Sequence, residues 1–440
     1  MDIAIVGGGI AGLSLALDLH RHGLAARVYE RAPEIRPLGV GITLLPDAMR
    51  ESVALGVAGD IEREGVVITE SAFFNRFGQR ICGEERGHHA GYPFPEVSIH
   101  RGRLHMILYR AAVARLEEDA IRTGCDCVGI AQDVHGATLH LRGAGGPETV
   151  RADVVIACHG VNSSLRKAFC PDDGAAFAGI NTWRGVTRRK PFLDGRTYSR
   201  TGSILTGKMV IYPIADEADG TQLINWMSEI KGDAAEKNDW NRPGDLADFL
   251  PIYRDWRFPW LDVAELIRTA DLVLEYPMVD KNPVDRWTFG RVTLAGDAAH
   301  SMYPRGSNGA AQAAIDARPL AECLARAQAP TDGLAEYEAP RLPAANRVVL
   351  TNRAHPPGFI NIRVENSSAT ARSRTLTATS PRPNCGHCRR TTSASPGLGS
   401  PTSPAAQTAD AANLVHWFGN RRPRTLGGRG SRGGPRWLTP

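Results

Sequence analysis

Apolar and polar positions divide the chain into stretches of distinct kinds. Residues 2–6 form a short apolar run. Residues 10–22 carry Leu13, Leu15, Ala16 and Leu19 at helical spacing, and residues 26–29 form a second short run that ends at Glu30. Run, helix and run predict a β-α-β unit. Residues 97–111, VSIHRGRLHMILYRA, predict a strand and then a helix opening at Arg101, with Leu104, Ile107, Leu108 and Ala111 on one face. Residues 291–325 predict another strand, ending at Gly296-Asp297, then a proline-glycine loop and a helix from about Gly309. Between these units, VTRRKPFL, GKMVIYPI and QLINWMSEI alternate apolar and polar residues, the signature of strands in a half-covered sheet. After Arg363 the periodicity stops, and Ser, Thr, Pro, Ala, Gly and Arg dominate, a composition that cannot bury a core.

The first unit carries a defined chemistry. Gly7 permits the tight turn out of the strand, Gly9 lets a pyrophosphate approach the backbone, and Gly12 lets helix and strand pack closely. The helix N-terminus offers free N–H groups and partial positive charge to phosphates. Glu30, at the end of the second strand, is placed to accept from a ribose hydroxyl. Asp297 is placed likewise at a strand end, to bond a ribityl hydroxyl, and the loop from Pro304 to Gly309 leads into a helix N-terminus that favours negative charge on a ring system.

Charge and cysteine usage exclude other classes. The 440-residue chain has net charge +5, but residues 364–440 hold eleven Arg against Glu365 and Asp410 alone, leaving residues 1–363 at −4. The body therefore offers no nucleic-acid surface. Six cysteines, at 82, 125, 127, 158, 170 and 323, match neither a disulfide framework nor a metal site. The N-terminus makes a poor signal peptide and no apolar stretch is long enough for a membrane span, so a cytoplasmic protein without a membrane partner is expected.

The motifs GGGIAG, HRGRL and GDAAHSMYPRGSNGA, in this order, resemble the FAD-dependent class A aromatic hydroxylases of the p-hydroxybenzoate and salicylate hydroxylase type. PLGVGITLLPDA, INTWRGVT, LEYPMVDKNPVDRW and MYPRGSNGAAQA most resemble its phenazine-modifying branch, the methylphenazine-carboxylate hydroxylases. The resemblance covers residues 1 to about 363. It implies a mixed α/β fold with a Rossmann-like FAD-binding domain (1–74, 97–178 and 282–363), an inserted antiparallel-sheet substrate domain (75–96 and 179–281), and a disordered tail (364–440). It implies that Gly7, Gly9, Ala11, Gly12, Glu30 and Arg31 hold the ADP half of FAD, with Gly41 also at the cofactor. Arg101 would reach the phosphates or the ribityl chain, Asp297 the ribityl chain, while Gly306, Asn308, Gly309 and Ala310 would line the isoalloxazine. Trp183, Tyr212, Trp226 and Pro304 are candidates for the substrate pocket, and each equally fits an ordinary core or turn position. The implied reaction is hydroxylation of an aromatic or phenazine-like small molecule with NADPH or NADH and O2 through a flavin C4a-hydroperoxide. No catalytic acid, base or nucleophile stands out, no metal is implied, and the oligomeric state is open.

Three positions depart from the family pattern. DVVIACHGVNSSLRK carries His159 where an acid precedes the glycine, with Ser163 and Arg166 as expected; a histidine replaces that acceptor only when neutral, and a charged one would weaken handling of FAD or NAD(P)H. Ser301 stands where proline is frequent, and Pro319 lies inside a helix, costing about 3 kcal/mol unless the helix kinks. In the tail, TATSPRPNCGHCRRTTSASPG admits codons whose shifted frame spells RYISQAELRALSADYKRVAG, a well-formed amphipathic ending. Residues from about 366 onward are thus expected to be out of frame, and Cys385-x-x-Cys388, which lacks a second ligand pair, is not a zinc site. These departures sustain an alternative, a decayed flavoprotein with weak FAD binding. An NAD-dependent dehydrogenase would explain the first unit but leaves Arg101 and Asp297 without a role.

Overall fold

A computed structural model of the chain describes residues 1–171, 174–232, 242–304, 306–354 and 359–368. The first unit forms as the pattern predicts: β1 (Ile3–Val6), α1 (Ile10–Arg21) and β2 (Ala26–Tyr29). β1 lies inside a six-stranded sheet of order Thr288–Phe289, Val292–Leu294, Val154–Ala157, β1, β2, Ile121–Arg122. Its strands pair parallel except for the terminal Thr288–Phe289 hairpin. The unbroken apolar runs IAIV and VVIA are fully buried, as parallel strands covered on both faces require. Within α1, Leu15 and Leu19 join the core of this sheet, while Leu13 and Leu17 pack with Leu104 and Leu108 of the helix Arg101–Arg115.

The helix Asn308–Arg326 runs unbroken through Pro319. Ala317, Leu320, Ala321 and Leu324, buried in the main core, hold it past the lost backbone hydrogen bond, so Pro319 does not end the helix.

The second sheet has eight strands, ordered Arg242–Pro243, Leu272–Lys281, Ala175–Arg189, Gln222–Lys231, Gly207–Asp216, Thr197–Ser203, Glu70–Phe74, Arg80–Glu85. The three segments with alternating pattern lie here side by side. Because side chains alternate across a strand, each strand feeds two different cores. One face carries Trp183, Met209, Ile211, Ile224 and Trp226 against Phe249, Tyr253 and Leu266 from the helices Leu246–Tyr253 and Val263–Arg268. The opposite face carries Tyr198, Val210, Tyr212, Ile214 and Met227 against Val66 and Ile68. A small antiparallel sheet, β3 (Gly41–Leu44), Glu96–His100 and Val66–Ile68, adjoins that second face.

Two expected boundaries move. Glu70–Phe74 pairs in parallel with Thr197–Ser203, so residues 70–74 belong to the large sheet, and the strand that starts this sheet's long run begins at Ala175 rather than 179. The chain also stays ordered beyond 364. Asn361, in the helix Phe359–Ser368, donates through Nδ2 to the carbonyls of Phe74, Arg200 and Gly202 at 3.0, 3.3 and 2.7 Å, and Glu365 pairs with Arg76 at 3.2 Å. These partners anchor the helix on the strands Glu70–Phe74 and Thr197–Ser203. The segment after 368, expected to be out of frame and holding Cys385 and Cys388, lies outside the described residues. No helix among the described residues is long and apolar enough to cross a membrane.

Candidate functional site

The glycine turn is built by close backbone approach. Gly7 has φ +109°, and a Cβ there would stand 2.7 Å from the Cys158 carbonyl oxygen; a Cβ on Gly12 would stand 2.0 Å from the Gly7 oxygen. A Cβ on Gly9, by contrast, would meet no heavy atom within 4 Å, so the turn opens outward where α1 begins. Glu30 is expected to meet a ribose, and its carboxylate is oriented by the turn itself: Gly8 N donates to Oε2 at 2.7 Å and Ala32 N to Oε1 at 2.8 Å. Each oxygen keeps a second lone pair for a hydroxyl donor. Arg31 is exposed beside it. His105, which sequence inspection did not single out, lies 2.6 Å through Nε2 from the Gly8 carbonyl oxygen.

A second turn abuts the first. Gly296 has φ +59°, and a Cβ on it would come within 2.8 Å of Ala11 Cβ, so Ala11 is the contact between α1 and this turn. Asp297 is exposed at the start of the short helix Asp297–His300, whose other three residues are buried. Two buried groups hold it from beneath. Asp316 accepts from Gly296 N at 2.9 Å, lies 2.6 Å from His300 Nε2, and takes both Arg341 nitrogens at 2.9 and 2.8 Å. Burial alone would raise the Asp316 carboxyl; the attraction of His300 and Arg341 overrides it and holds it well below the usual carboxylate range. Arg166 Nη1 donates to the carbonyls of Ala298 at 3.0 Å and Ala299 at 2.5 Å. Neither Asp316 nor Arg341 was foreseen; their only signal is a charged residue among buried helix positions.

His159 resolves its own departure. Burial, with Arg31 adding to it, pulls its imidazole down to about 4, so the ring is neutral near pH 7. Ser163 Oγ and Ser164 Oγ lie 3.1 and 3.2 Å from Nε2, and Leu165 N donates to that nitrogen at 3.5 Å. Nε2 thus faces two hydroxyls and a backbone N–H, while Nδ1 is buried without a partner among the described residues, beside the Gly7 turn.

The third loop precedes the helix Asn308–Arg326. Gly306 has φ +70° and Ser307 has φ +57°, a left-handed pair that turns the chain sharply into the helix. A Cβ on Gly309 would meet nothing within 4 Å; Asn308 Nδ2 donates to Asn352 Oδ1 at 3.5 Å, and Ala310 is half-buried. Pro304 is exposed in this loop, and Ser301 is buried, its carbonyl accepting from Lys281 N at 3.3 Å. Arg101 is exposed at its helix start, flanking Gly39. Gly41 N donates to Asn225 Oδ1 at 2.7 Å, and a Cβ there would overlap Asn225, so Gly41 is where β3 meets the large sheet.

That sheet contributes a tyrosine-rich face. Tyr198 and Tyr212 stack with centroids 4.5 Å apart; Ser307 reaches the Tyr198 phenol and Thr43 the Tyr212 phenol. Arg101 and Arg184 both act on the Tyr276 phenol. Tyr212 is thus on the face that meets the Gly306–Ser307 loop. Trp183 and Trp226 are not. They lie on the opposite face, stacked or tilted against Phe249, and Trp226 Nε1 donates to Thr187 Oγ1 at 3.1 Å. Strand parity decides this: 183 and 226 have the sidedness of Ile224 and Ile211 rather than of Tyr212.

The open positions at Gly9 and Gly309, and the orphan Nδ1 of His159, fit a phosphate-bearing ring cofactor lying across the three turns. A FAD-binding-domain family model matches residues 1–194 and 275–352. The phenazine 1,6-dicarboxylic acid hydroxylase PhzS of Lysobacter antibioticus is 39% identical over 362 residues, covering 80% of this chain and 89% of that one. The 3-amino-4-hydroxybenzoate 2-monooxygenase PtnB3 of Streptomyces platensis is 32% identical, covering 79% and 85%. In fold, the chain is similar to Klebsiella pneumoniae HpxO, solved with FAD and uric acid (TM-score 0.69, 21% identity, 84% and 92% covered). It is similar also to 2,6-dihydroxypyridine-3-hydroxylase of Arthrobacter nicotinovorans (TM-score 0.65, 24% identity, 84% and 92% covered). Built on three glycine turns that fit FAD, and matching these proteins over most of its length, the chain belongs to the FAD-binding family of aromatic monooxygenases.

Proposed function

We propose that the chain hydroxylates an aromatic or phenazine-like small molecule, using NADPH or NADH and O2. The observation that supports this is the approach of the helix start at Gly306–Ala310 to the stacked Tyr198–Tyr212 face, where Ser307 reaches the Tyr198 phenol. Bound FAD supplies the redox chemistry, accepting a hydride and activating oxygen. The residues supply binding and placement. Gly7, Gly9 and Gly12 admit the pyrophosphate, Glu30 takes a ribose hydroxyl, Arg101 the phosphates or ribityl chain, and Asp297 the ribityl chain. The N–H groups opening the Asn308–Arg326 helix favour negative charge at the flavin ring. Tyr198 and Tyr212, whose phenols burial keeps protonated, offer flat surfaces to a planar substrate and exclude water from it. The names of the relatives, acting on phenazine and aminohydroxybenzoate rings, support this substrate class.

The test is the visible spectrum of the purified protein, followed in the same cuvette by NADPH or NADH without oxygen, then by air and candidate rings. A flavin spectrum that bleaches, with ring-stimulated NAD(P)H consumption and a hydroxylated product, is expected. A colourless chain that stays colourless with added FAD would leave the decayed-flavoprotein reading in its place.

A further inference from the structure

The peptide joining Gly8 to Gly9 is gripped from outside the β-α-β unit that contains it. His105 Nε2 lies 2.6 Å from the Gly8 carbonyl oxygen, 97 positions away along the chain. A carbonyl oxygen only accepts, so Nε2 carries a proton and donates it. The peptide on the other side of Gly8 is fixed as well, because Gly8 N donates to Glu30 Oε2 at 2.7 Å. Gly8 itself is buried, and a Cβ on it would stand 3.0 Å from Glu30 Cβ. Leu104 and Leu108 anchor the helix Arg101–Arg115 against Leu13 and Leu17 of α1, and this packing brings His105 to the turn.

Peptide planarity carries this restraint one residue further. In a trans peptide the carbonyl and the N–H point in opposite directions. Holding the Gly8 carbonyl toward His105 therefore turns the Gly9 N–H away from His105. That N–H makes no hydrogen bond among the described residues, and a Cβ on Gly9 would meet no heavy atom within 4 Å. It is a free donor on the open side of the turn, at the residue that precedes α1, where the pyrophosphate of FAD approaches. With glycine on both sides, the peptide has little steric preference of its own for either orientation. Reversed, it would offer a carbonyl oxygen to the phosphates in place of an N–H and repel them.

We propose that His105 is a positioning residue for the cofactor: it fixes the Gly8–Gly9 peptide in the orientation that aims the Gly9 N–H at the FAD pyrophosphate. This rests on FAD binding and is independent of which ring the enzyme hydroxylates. It gives the glycine turn a partner on a separate helix, without which the spacing of the glycines admits the peptide in either direction.

The test titrates the full chain, stripped of cofactor, with FAD by flavin fluorescence, and then with ADP and adenosine as competitors, in the wild type, His105→Leu and His105→Gln. ADP carries the phosphates that adenosine lacks, so the ratio of their affinities reads the turn's grip on phosphate. The wild type is expected to prefer ADP. In His105→Leu, FAD and ADP are expected to weaken roughly 10-fold, the loss of one oriented hydrogen bond, with adenosine unchanged. His105→Gln, which keeps a side-chain N–H donor, recovers most of that loss. A wild type that does not distinguish ADP from adenosine overturns the proposal, whatever the variants do. Unchanged FAD and ADP affinity in His105→Leu also overturns it, as does equal weakening of ADP and adenosine, the mark of a role in packing alone. Where His105→Leu does not fold, His105→Gln decides: the wild-type preference for ADP supports the proposal, and its loss in a folded variant overturns it.

Discussion

The glycine turn at residues 7–12 and the tyrosine face of the large sheet are made in opposite ways. The turn is local: Gly7, Gly8, Gly12 and Glu30 contact one another within a single β-α-β unit, and the tolerance for error is a fraction of an ångström of backbone. The face is assembled from residues as distant as Thr43, Arg184, Tyr212, Tyr276 and Ser307. The turn determines whether a cofactor of this class can bind at all. In the proposed function the face selects the ring, with side chains whose exchange leaves the backbone in place.

The largest effect should come from closing the turn. Gly12→Ala puts a Cβ 2.0 Å from a backbone oxygen that cannot yield without opening the turn. FAD occupancy, read as flavin absorbance per chain, is expected to fall on the order of 100-fold; a variant that stays yellow would break the contrast between the two sides. Next is the buried support. Asp316→Ala strips His300, Arg341 and the Gly296 N–H of a common partner. Unfolding titration should show a loss of about 3–5 kcal/mol, the penalty for a buried charge left unpaired, whereas Asp316→Asn, which can still accept from Gly296, should lose less.

Acid should then find His159. Its folded-state value of about 4 lies below the ordinary 6.5, so between those limits the unfolded chain binds more protons than the folded one. Stability is therefore full above pH 6.5 and falls as pH drops toward 4, by up to about 3 kcal/mol. His159→Asn should flatten that part of the pH–stability curve, and a curve unchanged by the substitution would show that the ring is not held neutral. The smallest effects separate the two faces of the sheet. Trp226→Phe should cost about 1–3 kcal/mol of stability through lost packing and the lost bond to Thr187, with substrate KM unchanged. Tyr212→Phe should keep stability within about 1 kcal/mol and move KM instead.

The extent to which the site was legible in the sequence follows the same division. Gly7, Gly9, Gly12 and Glu30 are readable because glycine spacing, strand and helix occur within one short window. Gly296-Asp297 and the loop to Ala310 are readable for the same reason. His159 looked like a defect because a sequence shows the residue type and not its burial, which is what keeps the ring neutral. Pro319 looked like a cost or a kink in its helix because propensity is local, while the buried residues around it are not. Asp316, Arg341 and His105 were not foreseen, since their partners at Gly296, His300 and Gly8 come from elsewhere in the chain.

The sequence by itself determined the order of elements, the three glycine turns and the family, because each depends on residues within hydrogen-bonding reach along the chain. The tertiary structure alone decided which aromatic residues lie on the side of the Gly306–Ser307 loop and which lie in the opposite core. Two strands with the same alternating pattern present either parity equally well until they pair, and that pairing sent Trp183 and Trp226 into the core and left Arg184 on the side of Tyr212.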